Sequence, residues 1–250
     1  MQSRVLFALV MREMATRFGR SAGGYVWAIL EPAGTVALLT LVFSQISRRP
    51  ALGSDYALFF ATGYLAFHVY KDVSSGVSQA INANKALFSF PRVSMLDPVI
   101  ARFILHSLTA VLVYAIVVGG LHTVSESRYR IDFAPLFVAL SLSAALGLGV
   151  GALNCLLFAF SPTWEKTFNV LNRPLFLISG VLFIYEDLPR ALREIIWWNP
   201  LIHVTALSRD AFYPSYDPIF VSPGYVLGAA MAPLLAAVLL LRRLKSRILE

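Results

Sequence analysis

The residues of this sequence whose side chains are best suited to bind a ligand form one stripe within an apolar run. They recur at helical spacing and comprise Tyr64, Phe67, Lys71, either Ser74 or Ser75, and Ser78. Such a stripe offers rings that stack on sugars and a cation that binds an anionic group. Because a lysine costs roughly 2.5–3.5 kcal/mol at membrane depth on insertion scales, Lys71 should face protein or water. The stripe predicts the lining of a path for an anionic glycan, unless Lys71 pairs with Asp72 or Glu31 for assembly alone.

Other charged residues inside the apolar runs favour structural roles. His68 and Asp72 lie four residues apart and are expected to form a hydrogen-bonded pair, since two ligands make no metal site. Arg102 and Arg173 lie only a few residues inside their runs, so we expect both to extend to lipid headgroups.

The sequence also lacks the motifs that would indicate catalysis. It contains no GxxxxGK[ST] or HExxH pattern, and neither DxD nor HxxxxD. Cys155 is the single cysteine, so the chain has no disulfide framework and no thiolate metal site. We expect no enzyme activity, cofactor or metal in this chain, and any nucleotide energy must come from another chain.

The composition places the chain among integral membrane proteins. Of its 250 residues, 58% are hydrophobic and only 14% are charged, and several apolar runs approach the length that crosses a bilayer. The net charge of +7 comes mostly from arginines that flank these runs. Anionic headgroups and the positive-inside rule explain this charge without nucleic acid. We predict one all-α transmembrane domain over residues 1–250.

Six spans and an interfacial helix are predicted in this domain. The predicted ranges are 1–24 for the interfacial helix and 25–47, 57–81, 99–121, 133–160, 167–184 and 219–241 for the spans. The first apolar stretch is short and lacks a cleavage pattern, so we expect the N-terminus to be retained. Gly147 and Gly151 form a Gly-xxx-Gly pair, which predicts close packing of the fourth span against a neighbour.

The interfacial helix should lie along the membrane surface with its charged side toward water. Its apolar positions are Leu6, Val10, Met14 and Phe18, and its charged positions include Arg12, Glu13 and Arg17. Arg17 and Arg20 are expected to contact either anionic lipid or an anionic lipid-linked cargo.

A short basic and amphipathic segment, here called the connector (residues 82–98), joins the second and third spans. It sets apolar residues beside basic and helix-stopping ones: Lys85, Phe88, Ser89, Phe90, Pro91, Arg92 and Pro98. Apolar side chains on a loop in water are usually covered by another surface. We therefore predict that another protein docks on the connector and transmits force through it.

Residues 188–214 indicate two short amphipathic helices broken at Asn199 and Pro200. Trp197 and Trp198 should lie at headgroup level, and the pattern fits a re-entrant hairpin. Lysine and arginine counts place both termini and the connector on one side, which the positive-inside rule assigns to the cytoplasm.

Four stretches resemble the membrane subunits of bacterial ABC-type capsular-polysaccharide exporters. They are REMATRFGRSAGGYVWAILEP (12–32), NANKALFSFPRVSMLDPVIAR (82–102), SPTWEKTFNVLNRPLFLISGVLF (161–183) and WNPLIHVTALSRDAF (198–212), in that order over most of the chain. The resemblance implies six spans, a homodimer, and a location in the bacterial inner membrane. It also implies two copies of a separate ATPase that binds ATP and Mg.

The resemblance further implies roles for individual residues. The connector would be a coupling helix that contacts the ATPase through Asn84, Lys85, Leu87, Phe88, Phe90 and Arg92, with Glu165 and Lys166 as a secondary contact. The substrate path would comprise Arg17, Arg20, Tyr25, Trp27, Glu31, Tyr64, Phe67, Tyr70 and Lys71. The periplasmic gate would comprise Trp197, Trp198, Pro200 and Arg209. The implied cargo is a lipid-linked anionic polysaccharide, received by periplasmic adaptor and outer-membrane export proteins.

Two alternatives stay open at this point. The same mechanism would serve the export of O-antigen or teichoic-type glycans. A membrane-embedded glycosyltransferase or acyltransferase is the alternative from another class, and it should show paired carboxylates or a His-acid motif at the membrane surface.

Overall fold

The computed structural model describes residues 2–18, 23–89, 94–124 and 130–248, and within these ranges the chain forms helices and loops but no strand. The α-helices are α1 (Gln2–Phe18), α2 (Gly24–Ile46), α3 (Tyr56–Ser78), α4 (Leu96–Val124), α5 (Phe133–Phe160), α6 (Pro162–Ile178), α7 (Arg190–Ile196), α8 (Pro200–Asp210) and α9 (Pro223–Ile248). Short 3₁₀ helices cover Asn82–Ser89 and Tyr185–Asp187. The predicted all-α class is confirmed.

The fold is organised around α3, which packs against α2, α4, α5 and α8. Asp55 starts this helix by accepting hydrogen bonds from the backbone N–H groups of Ala57 (2.8 Å) and Leu58 (3.5 Å). Every residue from Leu58 to Phe67 is buried. The N-terminal half of α3 is therefore surrounded by protein.

Two glycines of α5 permit its close contact with α3. A Cβ atom on Gly147 would lie 2.8 Å from the Val73 side chain, and one on Gly151 would lie 2.9 Å from the Ser74 carbonyl oxygen. Any side chain at either position would push the two helices apart. The predicted Gly-xxx-Gly contact is confirmed, and its partner is α3.

Among the described helices, four are long and apolar enough to cross a membrane: α2, α4, α5 and α9. The other two predicted spans correspond to α3 and α6. α3 carries Lys71 and Asp72 within its 23 residues. α6 has only 17 residues, a length of about 26 Å against a hydrocarbon core of roughly 30 Å.

The fifth span was predicted to begin at residue 167, but α6 begins at Pro162. The Ser161 Oγ accepts a hydrogen bond from the Trp164 N–H group at 3.3 Å, and a proline in the first turn has no N–H to leave unsatisfied. Glu165 and Lys166 therefore lie at the start of a helix rather than in a loop.

Other helix ends also differ from the predicted ranges, and α9 covers Pro223–Ile248 instead of 219–241. α6 ends at Ile178, and Gly180 then adopts a positive φ of 73° that turns the chain away. α4 begins two residues before Pro98, which opens the helix instead of stopping one. Asp97 Oδ2 supports this start by accepting a hydrogen bond from the Ser94 N–H group at 2.8 Å.

The connector is described over residues 82–89 and 94–98. Its first part is the 3₁₀ helix Asn82–Ser89, with a break at Asn84 (φ −120°, ψ 15°). Phe90, Arg92 and the side chain of Leu87 lie outside the described parts of the chain.

α7 and α8 meet at Asn199 and Pro200, where the sequence predicts a break. The Asn199 Oδ1 accepts a hydrogen bond from the Leu201 N–H group at 3.1 Å and so caps α8. Its Nδ2 donates to the Ile178 carbonyl oxygen at 2.9 Å. This helix pair is thereby anchored to the end of α6.

Candidate functional site

A cavity of about 540 Å³, here called the cleft, opens between α2, α3 and α6. It is lined by Glu31 and Thr35 from α2, by Tyr64, Phe67, Lys71, Ser75 and Ser78 from α3, and by Phe168, Asn169, Asn172, Arg173 and Phe176 from α6. The predicted stripe of α3 therefore faces one shared cavity, with Ser75 rather than Ser74 in its wall.

The part of the cleft nearest the start of α3 is aromatic. The Phe176 ring packs edge to face against Tyr64 and Phe67, with ring centroids 6.0 and 5.8 Å apart. This packing fixes the orientation of the three rings. Tyr64 and Phe67 are buried, whereas Phe176 is partly exposed and offers apolar surface to the cavity.

Further along α3, the cleft carries two cations. The Lys71 Nζ lies 4.0 Å from the Glu31 Oε1, and the two side chains are 48% and 68% exposed. Arg173 lines the cleft from α6 and forms no ion pair with any residue that the structure describes. An exposed pair at the limit of salt-bridge distance is weak, so both cations are available to a negatively charged ligand.

The sequence reasoning missed the α6 wall of the cleft, although helical spacing marks it. Phe168, Asn172 and Phe176 recur every four residues, and Asn169 and Arg173 form the adjacent stripe. Arg173, predicted to extend to lipid headgroups, is exposed and lines the cleft.

Several residues predicted for the path lie elsewhere. Tyr25 and Trp27 are exposed at the start of α2 and do not line the cleft. Tyr70 is buried with its ring centroid 6.2 Å from that of Phe67, and it does not line the cleft either. Arg20 lies outside the described residues.

Arg17, also predicted for the path, binds Asp72. Its Nη2 lies 2.7 Å from the Asp72 Oδ1, and the His106 Nδ1 lies 3.0 Å from the Asp72 Oδ2. The predicted hydrogen bond between His68 and Asp72 is therefore wrong. α1 and α4 thus supply the partners of Asp72 on α3, whereas its sequence neighbour Lys71 faces the cleft.

A second ion pair holds α1 against α4. The Arg102 Nη2 lies 3.0 Å from the Glu13 Oε2, and the Arg102 Nη1 donates to the Gly76 carbonyl oxygen at 3.1 Å. Arg102 therefore does not extend to headgroups, and that prediction is wrong. Burial opposes ionisation of Glu13, but hydrogen bonds from Arg102 and Asn84 outweigh burial and hold the pKa of this carboxyl below its ordinary value.

These contacts set charged positions of α1 against the protein, although the predicted apolar positions Leu6, Val10 and Met14 are also half-buried. Leu9 and Glu13 are buried, whereas Phe7 and Met11 are exposed. Glu13 and Arg17 face the protein because α3 and α4 provide partners of opposite charge. The charged side of α1 is thus a docking face for the rest of the molecule.

Asn84 joins the connector to α1. Its Nδ2 donates to the Glu13 Oε1 at 2.9 Å, and its Oδ1 accepts from the Arg12 guanidinium at 2.8 Å. Asn84 is 1% exposed, so the predicted direct contact of this side chain with a partner protein is wrong. Lys85 is exposed, and Phe88 packs partly buried against the core.

The start of α6 lies beside the start of the connector. The Gln79 Nε2 donates to the Glu165 Oε1 at 2.6 Å, and Lys166 is exposed on the same turn. The two segments predicted to dock on a partner therefore lie at one end of the molecule.

Arg209, predicted as a gate residue, is instead buried and structural. It is 1% exposed, and its guanidinium donates to the carbonyl oxygens of Gly180, Val181 and Phe183 at 2.6–2.8 Å. These carbonyls follow the end of α6. Arg209 therefore fixes α8 to that loop, which corrects its predicted place at the gate.

The other predicted gate residues pack against the start of α9. The Trp197 ring stacks on Tyr225 with centroids 5.0 Å apart, and its Nε1 donates to the Phe220 carbonyl oxygen at 3.2 Å. Pro200 lies in the first turn of α8. Trp198 is 68% exposed, which leaves one indole ring on the surface of an otherwise fixed pair of helices.

His203 was not singled out from the sequence, but it supports this arrangement. It is fully buried, and its Nδ1 accepts a hydrogen bond from the Ser222 N–H group at 3.3 Å. Its Nε2 therefore carries the proton and donates to the Trp197 carbonyl oxygen at 2.9 Å. A lone histidine in an amphipathic segment gives no signal of such a role.

Comparison with known proteins gives these features a family context. Residues 4–213 match the ABC-2 type transporter family. The chain is similar to the polysialic acid transport protein KpsM of Escherichia coli, with 33% identity over 88% of this chain and 85% of that protein. It is also similar to the capsule polysaccharide export inner-membrane protein CtrC of Neisseria meningitidis serogroup A, with 26% identity over 90% of this chain and 85% of that protein. For the capsule polysaccharide export inner-membrane protein BexB of Haemophilus influenzae, the identity is 25% over 96% of this chain and 91% of that protein.

Proposed function

The chain belongs to the ABC-2 type transporter family, and we propose that it is the membrane subunit of an exporter of lipid-linked anionic capsular polysaccharide. The observation that carries this proposal is the cleft, where aromatic rings, amides and hydroxyls meet the two cations Lys71 and Arg173. The printed names of the relatives, which concern polysialic acid transport and capsule polysaccharide export, support the same cargo class.

In this proposal α2, α3, α4, α5, α6 and α9 span the bacterial inner membrane, and both termini lie in the cytoplasm. The charges of α3 are acceptable at membrane depth because they face protein or the cleft rather than lipid. α7 and α8 form a re-entrant hairpin on the periplasmic side, where backbone irregularity is tolerated because it is buried in protein.

Two copies of the chain pack with their clefts facing each other. The helices that border the cleft expose large apolar residues, namely Leu38, Leu41 and Ile46 of α2 and Val170 and Leu171 of α6. A cleft with charged walls is costly to leave open to lipid. A second copy on this side would enclose it and would form one continuous path from two halves.

Energy comes from two copies of a separate ABC ATPase, which bind ATP and Mg on the cytoplasmic side. The sequence has no phosphate-binding loop of its own. The connector and the start of α6 lie together and present Lys85 and Lys166, which supports this end as the docking surface. Asn84 passes movement of the connector to α1 through Glu13.

Exported polymer passes to periplasmic adaptor and outer-membrane export proteins. The two cations of the cleft favour an anionic polymer over a neutral O-antigen. Among the described residues that line the cleft, Glu31 is the only carboxylate. General acid–base chemistry by a pair of carboxylates therefore has no basis there, which disfavours a glycosyltransferase.

Deleting the gene in its native strain tests the proposed function. We expect acidic polysaccharide to vanish from the cell surface and to accumulate inside the cell, and a plasmid copy should restore it. Surface labelling and chemical analysis of cell fractions measure the two pools. Normal surface polysaccharide would contradict export, and loss of polymer from both pools would indicate synthesis instead.

A further inference from the structure

Lys71 and Glu31 form a weak ion pair inside the cleft. The 4.0 Å separation and the exposure of both groups mean that solvent screens their attraction. Asp72, the nearest carboxylate in sequence, is engaged by Arg17 and His106 on another face of α3. Lys71 therefore has Glu31 as its sole ion-pair partner within the described parts of the chain.

The Glu31 side chain can reach Lys71 but is not fixed to it by a close contact. Its backbone carbonyl accepts a hydrogen bond from the Thr35 hydroxyl at 2.9 Å, whereas among the residues that the structure describes its carboxylate forms a single, long ion-pair contact, with Lys71. Pro32 follows directly in α2 and cannot donate the backbone hydrogen bond of a regular helix. The carboxylate thus occupies the position that a negatively charged group of a ligand would take.

We propose that Glu31 is an internal counter-ion that competes with the cargo for Lys71. This inference rests on the proposed export function and specifies its substrate class: a glycan with carboxylate or phosphate groups. An incoming anionic group displaces the Glu31 carboxylate and is shared by Lys71 and Arg173. A neutral glycan cannot displace a carboxylate from a lysine, so it must bind with the Lys71–Glu31 pair intact and gains no ionic contact from either cation.

The competition has a second consequence for transport. A path that holds each anionic group tightly would stall a long polymer, since every repeat must leave as well as enter. Because Glu31 returns to Lys71 as an anionic group departs, the counter-ion lowers the cost of release. The same carboxylate therefore weakens binding and aids movement.

A double-mutant cycle tests the proposal. The full chain is placed in nanodiscs of zwitterionic lipid, which excludes anionic headgroups as competitors, and its affinity for an oligosialic acid is measured by calorimetry. Glu31→Gln should raise the affinity about two- to fivefold, the size of one exposed ionic contact. Lys71→Gln should lower it, and in the Lys71→Gln background the gain from Glu31→Gln should fall by at least half.

Matched controls separate competition from a general charge effect. Glu194→Gln makes the same charge change at an exposed residue outside the cleft and should leave affinity unchanged. A neutral maltooligosaccharide should bind the four proteins of the cycle equally. A phosphodiester-linked glycan, tested in parallel, shows whether the cations prefer phosphate or carboxylate, and tighter binding of either supports the proposal.

The outcomes distinguish this inference from the function on which it rests. If Glu31→Gln gives no gain in affinity, or the same gain with and without Lys71, the counter-ion role of Glu31 is overturned. If the wild type still prefers acidic glycans in that case, the proposed export function is not contradicted. Equal binding of acidic and neutral glycans by the wild type overturns both. A fall in melting temperature for Glu31→Gln would mark the pair as an assembly contact, which also overturns the proposal.

Discussion

At the scale of residues, neighbouring charges of α3 serve different parts of the molecule. Successive residues of a helix point about 100° apart, so Lys71 reaches the cleft while Asp72 reaches α1 and α4. The cleft and the docking of α1 are therefore built on adjacent positions of one helix. A displacement of α1 is transmitted directly to the turn that carries Lys71.

The ion pair between Glu13 and Arg102 gives a testable pH dependence. The pKa of Glu13 is lowered in the folded protein, so its contribution to stability is present above the unfolded-state value of about 4.3 and is lost as pH falls through the folded-state value. Glu13→Gln should lower the free energy of unfolding at neutral pH by roughly 1.5–3 kcal/mol. Melting temperatures in nanodiscs at several pH values measure this effect.

Two comparisons make the test of Glu13 specific. The wild-type advantage over Glu13→Gln should shrink as pH falls below the unfolded-state value, and it should vanish once pH lies below the folded-state pKa, where the carboxyl is protonated in both states. The wild type should be no more stable than Glu194→Gln, since Glu194 belongs to an exposed pair. Equal melting temperatures of wild type and Glu13→Gln at neutral pH would contradict the assigned ion pair.

Periodicity along one helix predicted part of the site, but contacts between distant segments could not be read this way. The stripe from Tyr64 to Ser78 depends only on helical spacing, and it lines the cleft as predicted. Arg17 and His106 reach Asp72 from 55 and 34 residues away. A single sequence does not specify how helices rotate against one another, so the partners of Asp72 were not predictable.

At the scale of elements, α1 and the connector form one unit through Asn84. The buried amide of Asn84 contacts Arg12 and Glu13 of α1, while the following residue, Lys85, is exposed. One short segment thus combines a buried anchor with an exposed surface, which is the proposed docking face. Movement imposed on Lys85 and its neighbours must move α1 as well.

Disrupting the docking face of the connector should uncouple transport from ATP hydrolysis. Lys85→Glu reverses an exposed charge and should leave membrane insertion and melting temperature unchanged. Phe88→Asp places a charge on a partly buried ring position and should weaken docking further. Surface polysaccharide and copurification of the ATPase measure the effect, with Thr123→Val at an exposed site on α4 as the control. Normal surface polysaccharide in both connector variants would contradict the coupling role.

Helix ends are predictable where capping residues, prolines and glycines determine them. Both ends of α6 differ from the predicted range although the sequence carries these signals. Ser161 and Pro162 are a capping residue and a first-turn proline, so the start of α6 was readable from the sequence. Gly180 marks its end in the same way. The contacts of Glu13 and Arg17 with the protein were not readable, because they depend on charges of α3 and α4.

At the scale of the whole molecule, the proposed function combines the cleft with an end on which a separate ATPase docks, since the sequence contains no GxxxxGK[ST] phosphate-binding loop. The cleft lies between α2, α3 and α6. The ion pairs of Glu13 and Arg17 link it, through α1, to the connector. Export in this account is a division of labour, in which partner ATPases supply force and two copies of this chain enclose the polymer.

The most direct test of this division of labour measures uptake of a labelled acidic glycolipid polymer by inside-out proteoliposomes. The liposomes contain this chain alone, the ATPase partner alone, or both, with ATP or a non-hydrolysable analogue. We expect uptake only when both chains and hydrolysable ATP are present. Uptake by this chain alone, or uptake that proceeds equally with the analogue, would contradict the account.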